Sequence, residues 1–295
     1  MEAIHIFNKG RNGFGIFYRT EDLLLFVTLI STLARKMGIC VIAFCLMFNH
    51  FHLLIKRVAP RRLTAFMQRL EIVFVKEYNH EYGRKGSLMN KSYGYSLKKE
   101  IKVILGSVAY VFNNPVAGRL CREATDYRWN LLAYHDTGNP FSERLRKRTC
   151  SKAMRRAIEK VDFFHESGQY LGYARLRSIF NGLDNKELKQ IVDYILSKYN
   201  CLSYETLEAL YGSYERMLLA INSNAGSEFD LKDEYGDHSC YRDMLDLTRK
   251  LGYSGHQLNF EVLAEEEADQ LFKTIHANTK ANPTCINKFL HLREA

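Results

Sequence analysis

The stretch Cys45-Leu46-Met47-Phe48-Asn49-His50-Phe51-His52-Leu53-Leu54-Ile55 constrains this chain more than any other. It is an apolar run interrupted by a pair of histidines two residues apart. Alternate side chains of a strand share a face, so His50 and His52 point one way and Phe51 the other. Neutral imidazole is the commonest metal-ligating side chain. The pair is therefore half of a metal site or a pair of partly buried, hydrogen-bonded histidines, and taken alone it does not decide between them.

The surrounding pattern reads as alternating strands and helices. Ala3 to Asn8 is a first strand, followed by the turn Asn8 to Gly13 and a short extended stretch at Gly15 to Phe17. Thr20 is a good N-cap with Glu21 and Asp22 in the first turn, and the helix runs to about Lys36, where Gly38 ends it. Ile39 to Met47 reads as a continuous apolar strand, and the histidine strand ends at Lys56-Arg57. Pro60 opens a helix whose apolar face is Leu63, Phe66, Met67, Leu70 and Phe74. Tyr78 to Gly94 is loop-like; Ser96 caps a helix from Leu97 through Tyr110, with Pro115 as its end or a kink. Strand, helix, strand, strand, helix and helix together suit an α+β sandwich on a small antiparallel sheet.

Charge divides the chain. Residues 1–142 hold 20 Lys+Arg against 10 Asp+Glu, and residues 143–295 hold 22 against 23, so the net +9 comes from the first half. A polyanion is the simplest partner for such a surface. Arg62, Arg69 and Lys76 recur every seven residues, with Arg61, Arg84, Lys85 and Lys91 in the same region, which favours phosphate contacts over an idle solvated face. The longest apolar run, Leu23 to Ala34, has the length of a buried helix, about a dozen residues. Met1 to His5 lacks the basic start of a signal peptide, and the seven cysteines form no Cys-x-x-Cys pair. A reducing, cytoplasmic setting without a membrane segment is expected. Asp136-Thr137-Gly138-Asn139-Pro140 is the clearest boundary, giving units 1–140 and 141–295. Helices are expected at Ser151 to His165, Ala174 to Phe180, Asn185 to Lys198, Ser203 to Tyr211 and Ser213 to Asn222.

The string Cys45 to Leu54 resembles the signature of the single-tyrosine HUH transposases, in the branch of the REP-associated tyrosine transposases and their insertion-sequence-200-like relatives. Other segments match in order: His5 to Gly10, Ile16 to Asp22, Tyr78-Asn79 with Tyr82 to Gly86, Tyr110 to Val116, and Asp126 to Trp129. The family usually has proline where Phe48 stands, a departure in the turn before the strand. The resemblance covers roughly residues 3–135 and implies a ferredoxin/RRM-like HUH domain. It implies metal-dependent cleavage and rejoining of single-stranded or hairpin DNA through a 5′-phosphotyrosine. Mg²⁺ or Mn²⁺ is the implied cofactor.

The family places its tyrosine and third ligand four apart on a helix, where residues share a face. Tyr110 and Asn114 have that spacing. Tyr110 is thus the expected nucleophile, and His50, His52 and Asn114 are the expected ligands. Asn113 lies one residue off the face. The alternative for Asn114 is a helix C-terminal residue before proline. Lys9, Arg11, Arg62, Arg69, Lys76, Arg84, Lys85 and Lys91 are the expected DNA contacts. Some family members exchange catalytic helices in a homodimer, which leaves open whether Tyr110 acts in cis or in trans. A domesticated, non-catalytic nucleic-acid-binding protein and a hydrolase using water are the competing readings. Glu265 to Asn278 and Pro283 to Leu290, joined by Thr279 to Asn282, resemble the start of a helix-turn-helix, with Arg293 to Ala295 where its base-reading helix would begin. The near-neutral charge of residues 141–295 equally suits a helical accessory region.

Overall fold

A computed structural model of the protein describes residues 1–146, 148–223 and 238–292. The first half is β1 (Ala3–Lys9), α1 (Thr20–Met37), β2 (Val41–Leu46), β3 (His50–Lys56), α2 (Pro60–Tyr82), β4 (Gly94–Lys98) and α3 (Ile101–Ala117). The sheet order is β2-β3-β1-β4, and every neighbouring pair is antiparallel. β1-α1-β2 and β3-α2-β4 are thus two interleaved split units, the ferredoxin-like arrangement. All six residues of β2 are buried, as its unbroken apolar sequence requires of a strand covered on both faces.

Register fixes the two faces. Lys9 pairs with His50, Phe7 with His52 and His5 with Leu54, so these side chains lie on one face, which α3 covers. Phe51 points to the other face and packs on Phe26 of α1, which in turn meets Phe74 of α2. The sheet therefore separates the histidines from α1 and α2.

Three local expectations give way. Gly94–Lys98 is a strand, not the cap and first turn of a helix, and α3 begins at Ile101. Gly94 looks like a turn residue, but a Cβ there would lie 2.3 Å from the Phe7 ring. Its role is to let that ring lie across the neighbouring strand. Pro115 does not end the helix: α3 continues through it to Ala117, with Pro115 itself buried. At the start of α1 the N-cap is Arg19 rather than Thr20, and the capping carboxylate belongs to Asp22.

The second half contributes α4 (Lys152–Glu166), α5 (Tyr173–Phe180), α6 (Asn185–Lys198), α7 (Tyr204–Tyr211), α8 (Tyr214–Ser223), α9 (Ser239–Lys250), α10 (Glu265–Asn278) and α11 (Pro283–Leu290). Of these only α9 has no counterpart among the expected helices. The helices wrap the first half and share its hydrophobic core. Tyr211 donates to the Leu105 carbonyl of α3 at 2.8 Å, and Ser203 N–H donates to Val41 O at 2.8 Å along the outer edge of β2. Residues 293–295, which follow the two helices that resemble the start of a helix-turn-helix, lie outside the described residues.

Asp22 ties the halves together. It is fully buried and accepts from the backbone N–H of Tyr18 and Arg19 at 2.9 and 2.8 Å, from Tyr82 Oη at 2.9 Å and from Tyr173 Oη at 2.8 Å. Asp22→Ala leaves these donors without their acceptor, while the Arg19 guanidinium keeps Glu81 at 2.9 Å. It is expected to reduce the unfolding free energy by about 3–5 kcal/mol, seen as a lower denaturant midpoint at unchanged slope. A midpoint equal to that of the unaltered protein would show that water replaces the carboxylate.

Candidate active site

The site is built on the α3-covered face of the sheet. β3 supplies His50 and His52, 8% and 1% exposed, and α3 supplies Tyr110 and Asn114, 8% and 5% exposed. His50 Nε2 lies 3.2 Å from Asn114 Oδ1. The Tyr110 ring stands edge-on to His52 and to His5, with centroids 5.3 and 5.7 Å away. Residues some sixty positions apart in sequence thus meet on one face, and they do so within one chain. Asn113 turns away, its amide donating to the Ile221 carbonyl of α8.

The tautomer of His50 follows from its neighbours. Asn49 donates its amide N–H to Gly13 O at 3.0 Å, which leaves its Oδ1 facing His50 Nδ1 at 2.8 Å. A carbonyl oxygen accepts, so His50 Nδ1 carries the proton and Nε2 presents a lone pair. That lone pair faces the amide oxygen of Asn114. The contact accommodates either an N–H of the Asn114 amide, turned over to donate to that lone pair, or a cation bound by both atoms. A proton on His50 Nε2 is disfavoured: burial, aided by His238, pushes His50 down to about 3 despite the opposing Asn114 contact. A divalent cation suits the donor set. Among the described residues no group of three or more His, Cys, Asp or Glu side chains could hold a metal, so a cation here needs the amide oxygen of Asn114.

Burial, with a smaller contribution from Lys98, also lowers His5 to about 4. His52 falls well below the usual histidine value, first through burial and then through His50 and His5. The face is therefore lined by neutral imidazoles.

Two further residues enter the site that the sequence pattern did not single out. His5 of β1 stacks on His52, its Nε2 3.1 Å from His52 Nδ1. It stands two residues before Phe7 on the same strand face, so the strand period and its place in the matched segment His5 to Gly10 were its signals. His238, just before α9, brings its ring within 5.6 Å of His50, and its backbone N–H donates to Gly118 O at 3.1 Å. Nothing local in the sequence marks His238. Its approach follows from the docking of α9 and α11 on the turn before β3. There Phe48 stacks on Tyr241 at 4.4 Å and on Phe289 at 5.7 Å. The aromatic at position 48 is thus an anchor for the second half.

The basic residues separate into groups. Lys9 is exposed at the register position beside His50. Arg11, Arg84 and Lys85 line a cleft of about 570 Å³ with Phe14, Ser87 and His291, and Arg84 is held there by Glu261 and by Asn79 at 2.9 Å. Arg62, Arg69 and Lys76 are exposed on α2, across the sheet from the histidines. Lys91 is exposed in the segment before β4.

Residues 11–106 match the family described as "Transposase IS200 like". The match includes His50 and His52 and stops before Tyr110 and Asn114. None of the curated proteins matches. A solved structure described as a REP-associated tyrosine transposase bound to a REP hairpin is similar at 14% identity and a TM-score of 0.35, over 44% of this chain and 75% of that one. Among the described residues no helix is long and apolar enough to cross a membrane.

Proposed function

We propose that this chain, whose residues 11–106 belong to the IS200-like transposase family, is a single-stranded-DNA transposase that cleaves and rejoins hairpin-bearing DNA through Tyr110. The observation that carries the reading is the meeting of Tyr110, His50, His52 and Asn114 on one buried face. The net positive charge of residues 1–142 suits a polyanionic substrate.

His50 Nε2, His52 and Asn114 Oδ1 would hold the cation. Mixed nitrogen and oxygen donors suit Mn²⁺, with Mg²⁺ as the harder alternative. When bound, such an ion offsets the charge of the scissile phosphate and so assists attack on it. Tyr110 supplies the nucleophile. Its phenolic oxygen forms a bond to phosphorus as the bond to the 3′-oxygen breaks, and the phenolic proton is balanced by the one gained at the departing 3′-hydroxyl. The product is a 5′-phosphotyrosine on Tyr110. A 3′-hydroxyl attacking that linkage rejoins DNA and restores the phenol, so no nucleotide cofactor is consumed. Asn49 holds His50 in its lone-pair-forward tautomer throughout, and the buried setting keeps the imidazoles neutral. Lys9, beside His50, is placed for a phosphate of the incoming strand.

The test is incubation of the full chain with a labelled pool of single-stranded hairpin oligonucleotides carrying randomised flanks. With Mn²⁺, a labelled protein band that survives denaturation is expected; with a chelator, it should disappear. Retention of DNA without any adduct under all divalent metals would instead identify a non-catalytic binding protein. Cleavage without an adduct would identify a hydrolase.

A further inference from the structure

We infer that His5 is a positioning residue that sets the tautomer of His52 and so makes His52 able to bind a cation. The inference deepens the proposed reading of His50, His52 and Asn114 as ligands, and it rests on that reading.

The contact is specific. His5 and His52 sit diagonally across the β1–β3 ladder on one face, a separation that ring side chains can bridge. Their rings stack at 24° with centroids 5.2 Å apart, and His5 Nε2 lies 3.1 Å from His52 Nδ1. Both are buried. Between two neutral imidazoles joined nitrogen to nitrogen, only one proton can lie on the line. If His52 Nδ1–H donates to His5, the lone pair of His52 is on Nε2. If His5 Nε2–H donates instead, His52 carries its proton on Nε2, and that nitrogen cannot ligate. The choice made by His5 therefore decides whether His52 is a ligand.

The neighbouring strand residue provides the template. His50 has its Nδ1 facing an acceptor, Asn49 Oδ1, and its Nε2 directed at the site. His5 Nε2 occupies for His52 the position that Asn49 Oδ1 occupies for His50. Metal-binding histidines characteristically use the second ring nitrogen in this way. The pair His50 and His52 is thereby presented with like tautomers by unlike partners, an amide from the same turn and an imidazole from a different strand. Tyr110 stands edge-on to both His5 and His52, so replacement of His5 alters the surroundings of the nucleophile as well.

The experiment titrates the full chain with Mn²⁺ alone and follows free Mn²⁺ by electron paramagnetic resonance. Its variants are His5→Phe, His5→Gln and His52→Ala. The tautomer of His52 is read in parallel from ¹⁵N-histidine-labelled protein. His52 in the unaltered chain should be the Nδ1–H form. His5→Phe, which keeps a ring but no acceptor, should weaken Mn²⁺ binding by about tenfold or more, the scale typical of lost partners of ligating histidines. His5→Gln, whose amide oxygen can accept from Nδ1–H, should restore most of the affinity. A merely structural role for His5 would not move the tautomer signal or be rescued by glutamine. An Nε2–H His52 in the unaltered chain overturns the inference without any variant. So does unchanged affinity in His5→Phe while His52→Ala is weakened. If His52→Ala itself binds Mn²⁺ normally, the ligand reading fails, and this inference fails with it.

Discussion

Tyr110→Phe is expected to abolish the denaturation-resistant protein–DNA adduct, to background, in the presence of Mn²⁺. Phenylalanine preserves the ring that packs edge-on against His5 and His52, at 5.7 and 5.3 Å, so the fold and the site's shape should survive. What disappears is the oxygen that becomes bonded to phosphorus. Other tyrosines of the first half are poorly placed to substitute. Tyr127 Oη is committed to the Leu46 carbonyl at 2.6 Å. Tyr95 pairs with Ile6 in register and so projects from the opposite face of the sheet. The measurement is gel analysis of labelled hairpin oligonucleotides, with mass spectrometry of tryptic peptides to locate the linkage. An adduct in Tyr110→Phe, or a DNA-bearing peptide that excludes residue 110, would falsify the assignment.

Acid should destabilise the fold in the histidine range, between pH 7.5 and 5. His5 and His50 are lowered to about 4 and about 3, and His52 is lowered well below its usual value; in each case burial is the leading cause. For a base whose folded pKa is depressed, the folded state binds fewer protons than the unfolded chain. The stability it contributes is complete above the unfolded value of about 6.5 and is lost as pH falls from there toward the folded value. At pH 5 His5 and His50 are neutral when folded and protonated when unfolded, a cost of about 2 kcal/mol each, and His52 shifts in the same direction. Asp22 works the other way. Burial, opposed by Arg19 and its hydrogen-bond donors, raises it to about 6, which returns about 1 kcal/mol at pH 5. The net expectation is a loss of several kcal/mol between pH 7.5 and 5. It is measurable as a falling denaturant midpoint in the metal-free protein. A midpoint that is flat across this interval would mean that the histidines are not held neutral.

The reliability of the sequence pattern depended on how far its physical cause reached along the chain. The strand period placed His50 and His52 on one face, and the helical period placed Tyr110 and Asn114 on another, because both follow from backbone geometry within a few residues. Helices with clear amphipathic faces, such as Asn185–Lys198 and Glu265–Asn278, were legible for the same reason. β4 was not. Its Gly94 and Ser96 carry turn and cap signals that are overridden only when Phe7 lies over the glycine and β1 supplies the hydrogen bonds. α3 runs through Pro115 because the buried surface around it outweighs a local defect. Neither of these is a property of its own segment.

The histidine pair shows the same division. By itself the sequence determined that His50 and His52 share a face, that Tyr110 and Asn114 share another, and that excess positive charge lies in the first half. The meeting of those two faces was decided by the tertiary structure, through a sheet order that leaves one side open for α3. The same holds for His5, which reaches His52 from a neighbouring strand, and for His238, which reaches His50 from the far half of the chain. Such contacts depend on strand order and helix docking, and those are set by the burial of the whole apolar surface rather than by any local run of residues.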